Sequence, residues 1–202
     1  MIVLDDVLNK EELHFIYRKC VHEPSWYLSR PTKLGVENGD EHTFGGLLIR
    51  DGRIGQQMHK EHFSKESRSE IYEYMLENVL PRVKKRCLEE YNLEIPSQTI
   101  RFDVVAKTPG CNAEMHKDID FLGGISIVGM LSPEWEKECG GEFSWEDDES
   151  KTTKILDWKP GRFLVFNSEI FHRGVGSKTS TKYWRLITNF ILVPEHYTVD
   201  MG

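Results

Sequence analysis

The chain changes character at residue 97, and that change limits its architecture more than any other feature. From Thr99 onward, short apolar stretches alternate with glycine and proline. They are Thr99–Lys107, ending at Pro109-Gly110; Gly124–Leu131, ending at Ser132-Pro133; then Glu142–Glu146, Lys154–Trp158, Arg162–Asn167 and Tyr183–Val193. Gly140-Gly141 and Pro160-Gly161 supply turns. Several short strands within about a hundred residues read as an antiparallel sandwich or barrel. Before residue 97 the periodic segments are helical. Asn9 with Glu12 forms an N-cap and its partner, and Leu13, Ile16, Tyr17 and Cys20 then share one face. Between Ser67 and Tyr91 the positions Ile71, Met75, Val79, Val83 and Cys87 recur every four residues. That predicts one long amphipathic helix with Pro81 as its kink point. Leu47-Leu48-Ile49, next to Gly45-Gly46, is a further strand candidate. Helices first and strands later predict an α+β fold with a mainly β core and the helices on one face.

A length of 202 residues fits one domain spanning 1–202, with 1–97 as helical support and edge strands and 98–193 as the core. Asp+Glu 33 against Lys+Arg 26 gives a net charge of −7. An acidic chain repels phosphate backbones, so no nucleic-acid partner is expected. No stretch approaches the roughly 20 apolar residues that span a bilayer, and the start has no basic region, so neither a membrane span nor a signal peptide is expected. Cys20, Cys87, Cys111 and Cys139 are scattered without a CxxC pair. That usage suits a reducing compartment, and a cytoplasmic location is expected.

Chemistry begins with His116-Lys117-Asp118. Residues at i and i+2 of a strand point to one face, so His116 and Asp118 can ligate one metal without distorting the backbone. The pattern alone means little. With 8 histidines and roughly one residue in six acidic, about 1.3 HxD/E matches are expected by chance, and His59-Lys60-Glu61 is another. The segments downstream of His116 separate the two. His172 follows an apolar strand and precedes Gly174 and Gly176, and Arg185 stands in the apolar strand Tyr183–Leu192. A cation inside an apolar strand is costly to bury without an anion. His59/Glu61 sits in a polar stretch and reads as surface. Two histidines and one carboxylate on a β scaffold form the facial triad of non-haem Fe(II) oxygenases; the same donors also accept Mn or Zn. Three protein ligands leave room for a bidentate keto-acid and O2, with Arg185 forked onto the far carboxylate of the acid.

These residues resemble a family. Arg101–Asp118 looks like the strand, Pro-Gly and HxD segment of prolyl-4-hydroxylase-like 2-oxoglutarate/Fe(II) dioxygenases. Gly140-Gly141-Glu142-Phe143 is similar to that family's GGE element, and Lys159–Phe166 resembles its strand leading to the distal histidine. The likeness covers about residues 98–193, with four motifs in order. It implies a double-stranded β-helix (a jelly-roll, cupin-like fold) with supporting N-terminal helices. It implies Fe(II), 2-oxoglutarate and O2, with ascorbate as a candidate accessory reductant, and hydroxylation of a peptidyl, prolyl-type substrate. A free amino acid or other small molecule is the alternative substrate, and a non-catalytic cupin-like metal module is the alternative class. By position, His116, Asp118 and His172 are the implied metal ligands and Arg185 the co-substrate clamp. Lys107 stands where many members carry a tyrosine that helps to bind 2-oxoglutarate. The loop from His172 to Arg185 is longer than the family's, which makes Lys182 a rival to Arg185; Arg185 is preferred because it sits in the strand. Asn189, at i+4 from Arg185, is a candidate for the co-substrate pocket. Ser126 and Met130 read as core rather than cavity wall, Arg173 points to the face opposite His172 and reads as either surface or substrate-side, and Trp145–Glu149 and Lys84-Lys85-Arg86 read as solvated surface, with an acidic lid over a cationic or peptide substrate as the alternative for the first.

Overall fold

Alternation along four long strands explains the layering. In β4 (Gln98–Lys107), β5 (Ile125–Met130), β8 (Phe163–Asn167) and β10 (Arg185–Val193), one set of alternate side chains meets helices and the other set faces a second sheet. Phe102, Val104, Ala106, Ile127, Phe163, Val165, Leu186, Phe190 and Leu192 pack with Leu13, Ile16, Met75, Val79, Val83 and Cys87. Val128, Met130, Leu164, Phe166 and Ile187 instead pack inward with Phe143 and Trp158. The computed structural model describes residues 1–22, 27–29, 43–49, 70–107, 109–110, 112–120, 122–147, 150–178 and 182–195. His59/Glu61, Cys111 and the predicted helix start at Ser67 lie outside them.

The remaining strands are β1 (Ile2–Leu4), β2 (Tyr27–Ser29), β3 (Thr43–Ile49), β6 (Phe143–Glu146), β7 (Thr153–Leu156) and β9 (His172–Gly174). The larger sheet runs β1-β8-β5-β10-β4-β3-β2 and the smaller one β7-β6-β9, with the given pairings antiparallel. The sequence places most of these strands within one or two residues. The short β2 and β9 are absent from that reading, because three residues carry no periodicity. Trp158 falls beyond the end of β7, where its ring lies 5.0 Å from that of Trp135.

Helix α1 (Lys10–His22) begins with a reciprocal capping pair: the Asn9 backbone N–H donates to Glu12 Oε2 and the Glu12 N–H to Asn9 Oδ1, both at 2.9 Å. The second helical segment departs from the predicted single kinked helix. It comprises α2 (Glu70–Tyr74), a π-helical turn at Met75–Val79 and α3 (Leu80–Tyr91). Pro81 has no N–H to donate back along the helix, and the turn before it widens so that the Leu80 N–H reaches the Met75 carbonyl. Asn92 ends α3 in the left-handed region, with φ 51°.

Glu12 ties the helices together. Its carboxylate accepts Arg82 Nη1 and Nη2 at 3.1 and 2.9 Å and the Tyr74 hydroxyl at 3.0 Å. The Arg82 guanidinium holds the Glu12 carboxyl below its ordinary value, against the opposing effect of burial. A lowered carboxylate pKa contributes stability that is present above the unfolded value near 4.5 and is lost as pH falls through the folded one. Glu12→Gln is therefore expected to destabilise the fold by about 1–3 kcal/mol at neutral pH, and by less at about pH 3.5. Chemical denaturation at the two pH values checks this; an equal loss at both would rule out the ion pair as the cause.

Candidate metal centre

Three donors meet where the two sheets face each other. His116 and His172 exchange both backbone hydrogen bonds, at 3.0 and 2.9 Å, and so form an isolated antiparallel bridge. The pairing extends in both directions. The Gly110 N–H donates to Ser177 O, Ala113 N–H to Gly174 O, Asp118 N–H to Ser168 O, and the Gly176 N–H to Asn112 Oδ1. The HxD segment is thus zipped alongside β9, and the register of that zipper sets which side chains face inward.

The side chains of His116, Asp118 and His172 each offer one ligand atom, and these atoms lie within 4.8 Å of one another. Asp118 Oδ1 is 3.9 Å from His116 Nε2, and Oδ2 is 3.6 Å from His172 Nε2. Each ring is oriented by its other nitrogen: Nδ1 of His116 lies 2.8 Å from Glu114 O, and Nδ1 of His172 lies 2.9 Å from Ile170 O. A carbonyl accepts but cannot donate, so each Nδ1 carries the proton and each Nε2 presents a lone pair to the shared space. His172 is buried, stacked 5.4 Å from the Phe143 ring, with the Phe166 ring against it at 4.8 Å. Burial pushes its imidazole below the ordinary value, the Asp118 carboxylate opposes this, and the charge of Arg101 adds to it. A neutral imidazole is the ligating form. Two nitrogens and a carboxylate oxygen suit a divalent first-row ion.

Arg185 lies in the same interior and is 2% exposed. Its Nε and Nη2 donate to Gly141 O at 3.2 and 3.0 Å, and its guanidinium carbon sits 4.6 Å from the centre of the Trp158 ring. Two glycines make the space. A Cβ on Gly141 would stand 3.2 Å from Nε, and one on Gly174 would stand 3.1 Å from Nη2. Lys107 is opposite Arg185 in the β4–β10 register, and its Nζ donates to Gly174 O at 3.2 Å. Two cations therefore converge on Gly174, two residues past His172. The rival Lys182 is in solvent, 3.5 Å from Glu134.

Asn189 shares the inward face of β10, but its Nδ2 donates to Asp103 Oδ1 at 2.7 Å. Asp103 is fully buried and also accepts from Arg101 Nε. The sequence reading passed over both residues. Their signal was present: two charged residues two apart in an apolar strand. Ser126 bonds to Ser168 within the core, and Met130 packs there. Arg173 reaches Ser144, away from the triad. Lys84 and Arg86 are tied to the Pro96 and Asp5 carbonyls, which gives that basic run a structural part that the solvated-surface reading lacked.

His116→Ala, Asp118→Ala and His172→Ala are each expected to weaken Mn(II) binding by more than about 100-fold, since each removes one of three donors. The fold should survive, because the helical core lies on the other side of the larger sheet. Mn(II) titration followed by electron paramagnetic resonance, with circular dichroism of each variant, checks both points. A His59→Ala variant as damaging as His116→Ala would displace this assignment.

A scan of protein-family models and a search of curated proteins give no match. Solved structures do. A Pseudomonas putida prolyl-4-hydroxylase is similar over 95% of this chain and 91% of its own, with TM-score 0.65 and 13% identity. A 2OG-Fe(II) oxygenase family oxidoreductase from Burkholderia pseudomallei matches over 94% and 83%, with TM-score 0.66 and 14% identity. A Trichoplax adhaerens prolyl hydroxylase, solved in complex with a hypoxia inducible factor peptide fragment, matches over 95% and 82%, with TM-score 0.58 and 16% identity. The two facing sheets of this chain thus have the double-stranded β-helix fold of prolyl-4-hydroxylase and 2OG-Fe(II) oxygenase structures.

Proposed function

We propose that this protein is a 2-oxoglutarate- and Fe(II)-dependent dioxygenase that hydroxylates a peptidyl, prolyl-type substrate. The observation that carries the reading is the arrangement of His116, Asp118 and His172 around one space, with the buried Arg185 in the same interior. A metal store has no use for a buried guanidinium beside its ligands. The peptidyl substrate is supported by the likeness to the two prolyl hydroxylases, one of which is solved with a peptide.

The donor set fits Fe(II), which His116, Asp118 and His172 would hold. Bound there, Fe(II) with 2-oxoglutarate and O2 supplies the oxidising chemistry of hydroxylation, with succinate and CO2 as co-products. The protein's share is positional. The Glu114 and Ile170 carbonyls keep both imidazoles in the ligating tautomer. Arg185 presents a planar fork that suits the distal carboxylate of 2-oxoglutarate, and Lys107 adds a second positive charge beside it. Phe143, Phe166 and Trp158 keep water from the buried side of the site.

Removing one partner of a buried charge pair costs about 3–5 kcal/mol. Arg185→Ala is therefore expected to raise the dissociation constant for 2-oxoglutarate by roughly two to three and a half orders of magnitude while Mn(II) binding persists. Arg185→Lys should fall between, and Lys182→Ala should change little. Calorimetric titration of 2-oxoglutarate into the Mn(II) form of each variant is the test, with succinate release from the Fe(II) form as the check on turnover. Loss of binding in Lys182→Ala but not in Arg185→Ala would overturn the clamp.

A further inference from the structure

Two tryptophan rings pack against each other near Arg185, and they differ in one respect. Trp135 and Trp158 are 5.0 Å apart and tilted by 37°. The Trp135 indole N–H donates to Gly140 O at 2.7 Å. The Trp158 indole N–H is shielded from solvent and finds no acceptor among the described residues. Trp158 is 7% exposed and belongs to the apolar cluster of Val128, Met130, Phe143, Leu164 and Ile187, side chains that offer no oxygen. A buried donor without an acceptor costs free energy that a phenylalanine in the same place would not. The backbone on both sides of the ring is pinned. The Asp157 carbonyl accepts Arg162 Nη1 at 2.9 Å, and the Lys159 N–H reaches Met130 Sδ at 3.3 Å.

The place of that N–H points to its use. The Arg185 guanidinium carbon lies 4.6 Å from the Trp158 ring centre, so the indole edge and the guanidinium fork are neighbours. A carboxylate oxygen accepts at about 2.9 Å from its donor, and a carboxylate has two. One that sits on Arg185 therefore has the edge of Trp158 within reach. Arg185 is as closely shielded as Trp158, so a ligand that parts the packing around one donor uncovers the other. Arg185 and Lys107 already bring two cations toward Gly174. A neutral N–H adds a third donor there without adding charge repulsion.

We propose that the Trp158 indole N–H donates a hydrogen bond to the distal carboxylate of the 2-oxoglutarate held by Arg185. Trp158 thereby helps the site to select a keto-acid that ends in a second carboxylate. The proposal rests on the dioxygenase reading and adds a co-substrate-binding residue to it.

The test uses the Zn(II) protein labelled with nitrogen-15 at its 5 tryptophans, with the indole N–H signals followed by nuclear magnetic resonance. Trp158→Phe assigns the Trp158 signal. Saturating 2-oxoglutarate is expected to move the Trp158 indole proton downfield and to slow its exchange with water. The control, 2-oxopentanoate, keeps the chelating end and the chain but lacks the distal carboxylate. It should leave that proton near its free position. In calorimetry on the Mn(II) form, Trp158→Phe is expected to bind 2-oxoglutarate about tenfold more weakly or worse, with Mn(II) affinity unchanged. Phenylalanine keeps a ring against Arg185, so the loss reports the N–H. An unmoved indole proton at saturating 2-oxoglutarate overturns the proposal, and so does an equal shift with 2-oxopentanoate. Unchanged 2-oxoglutarate affinity in Trp158→Phe overturns it as well. Should Trp158→Phe fail to fold, Trp26→Phe, Trp135→Phe, Trp145→Phe and Trp184→Phe assign the signal by elimination, and the two shifts decide. Absence of 2-oxoglutarate binding to the Mn(II) wild type is a separate result, which removes the dioxygenase reading and this proposal together.

Discussion

The backbone exchange between His116 and His172 is the contact on which the candidate site depends. Two donors that lie far apart in the chain become neighbours through two peptide hydrogen bonds, not through their side chains. Antiparallel pairing places directly opposed side chains on one face, so a correct register delivers both imidazoles to the same space. Slippage by one residue would send one ring to the outer side and bring Lys117 or Arg173 inward. The flanking bonds from Gly110, Ala113 and Asp118 resist that slip by pinning the register on both sides of the pair. The Nδ1 contacts then do the finer work of tautomer and ring angle.

The same strands serve two masters, which accounts for how close the cavity lies to the core. On β10, Leu186, Phe190 and Leu192 meet the helices, while Arg185, Ile187 and Asn189 face inward. The helical layer, with Glu12 bridging to Arg82 and Tyr74, holds the larger sheet from outside. The inner layer is free to carry charge. Each inward charge has a local device that makes its burial tolerable. Arg185 has the Gly141 carbonyl and the Trp158 ring, Asp103 has two side-chain donors, and Asp118 faces the Nε2 edges of both histidines.

How much of this could be read from sequence follows from which interactions are local. The capping pair at Asn9 and Glu12 is a four-residue motif, and it is in place. The strands after residue 97 announce themselves by alternation and by the glycines and prolines that end them. The clustering of His116, Asp118 and His172 and the burial of Arg185 were legible as ordered motifs, since each residue sits at a marked place: an HxD pair, a histidine ahead of a glycine pair, a cation in an apolar run. What resisted was whatever depends on register across strands. Lys107 is opposite Arg185, and Asp103 opposite Asn189, only because β4 and β10 pair as they do. No spacing within one strand encodes that. The wide turn before Pro81 was hidden for another reason. A four-residue apolar repeat fits a straight or a kinked helix equally well, and the missing N–H of proline is compensated in the backbone, where side-chain periodicity leaves no mark.

Two arginines stand on one sheet face at different levels of the β4–β10 ladder. Arg185 marks the end that Gly141 and Gly174 open and that Trp158 floors, with Lys107 opposite it in the strand register. Arg101 marks the other end, near Ile191, where the side chain is partly open and its charge is shared with Asp103. The triad, zipped to β9, stands across from the stretch between them. A guanidinium held by a carbonyl or a carboxylate is fixed in orientation as well as position, because its planar fork meets an acceptor in a limited set of planes. The guanidinium of Arg185 meets the Gly141 carbonyl and the Trp158 ring, neither of which carries a compensating charge. The charge of Arg101 is instead offset by the buried Asp103 carboxylate. That asymmetry is written in the strand pairing: Asn189 and Asp103 meet at one level of the β4–β10 ladder, and Lys107 and Arg185 meet at another.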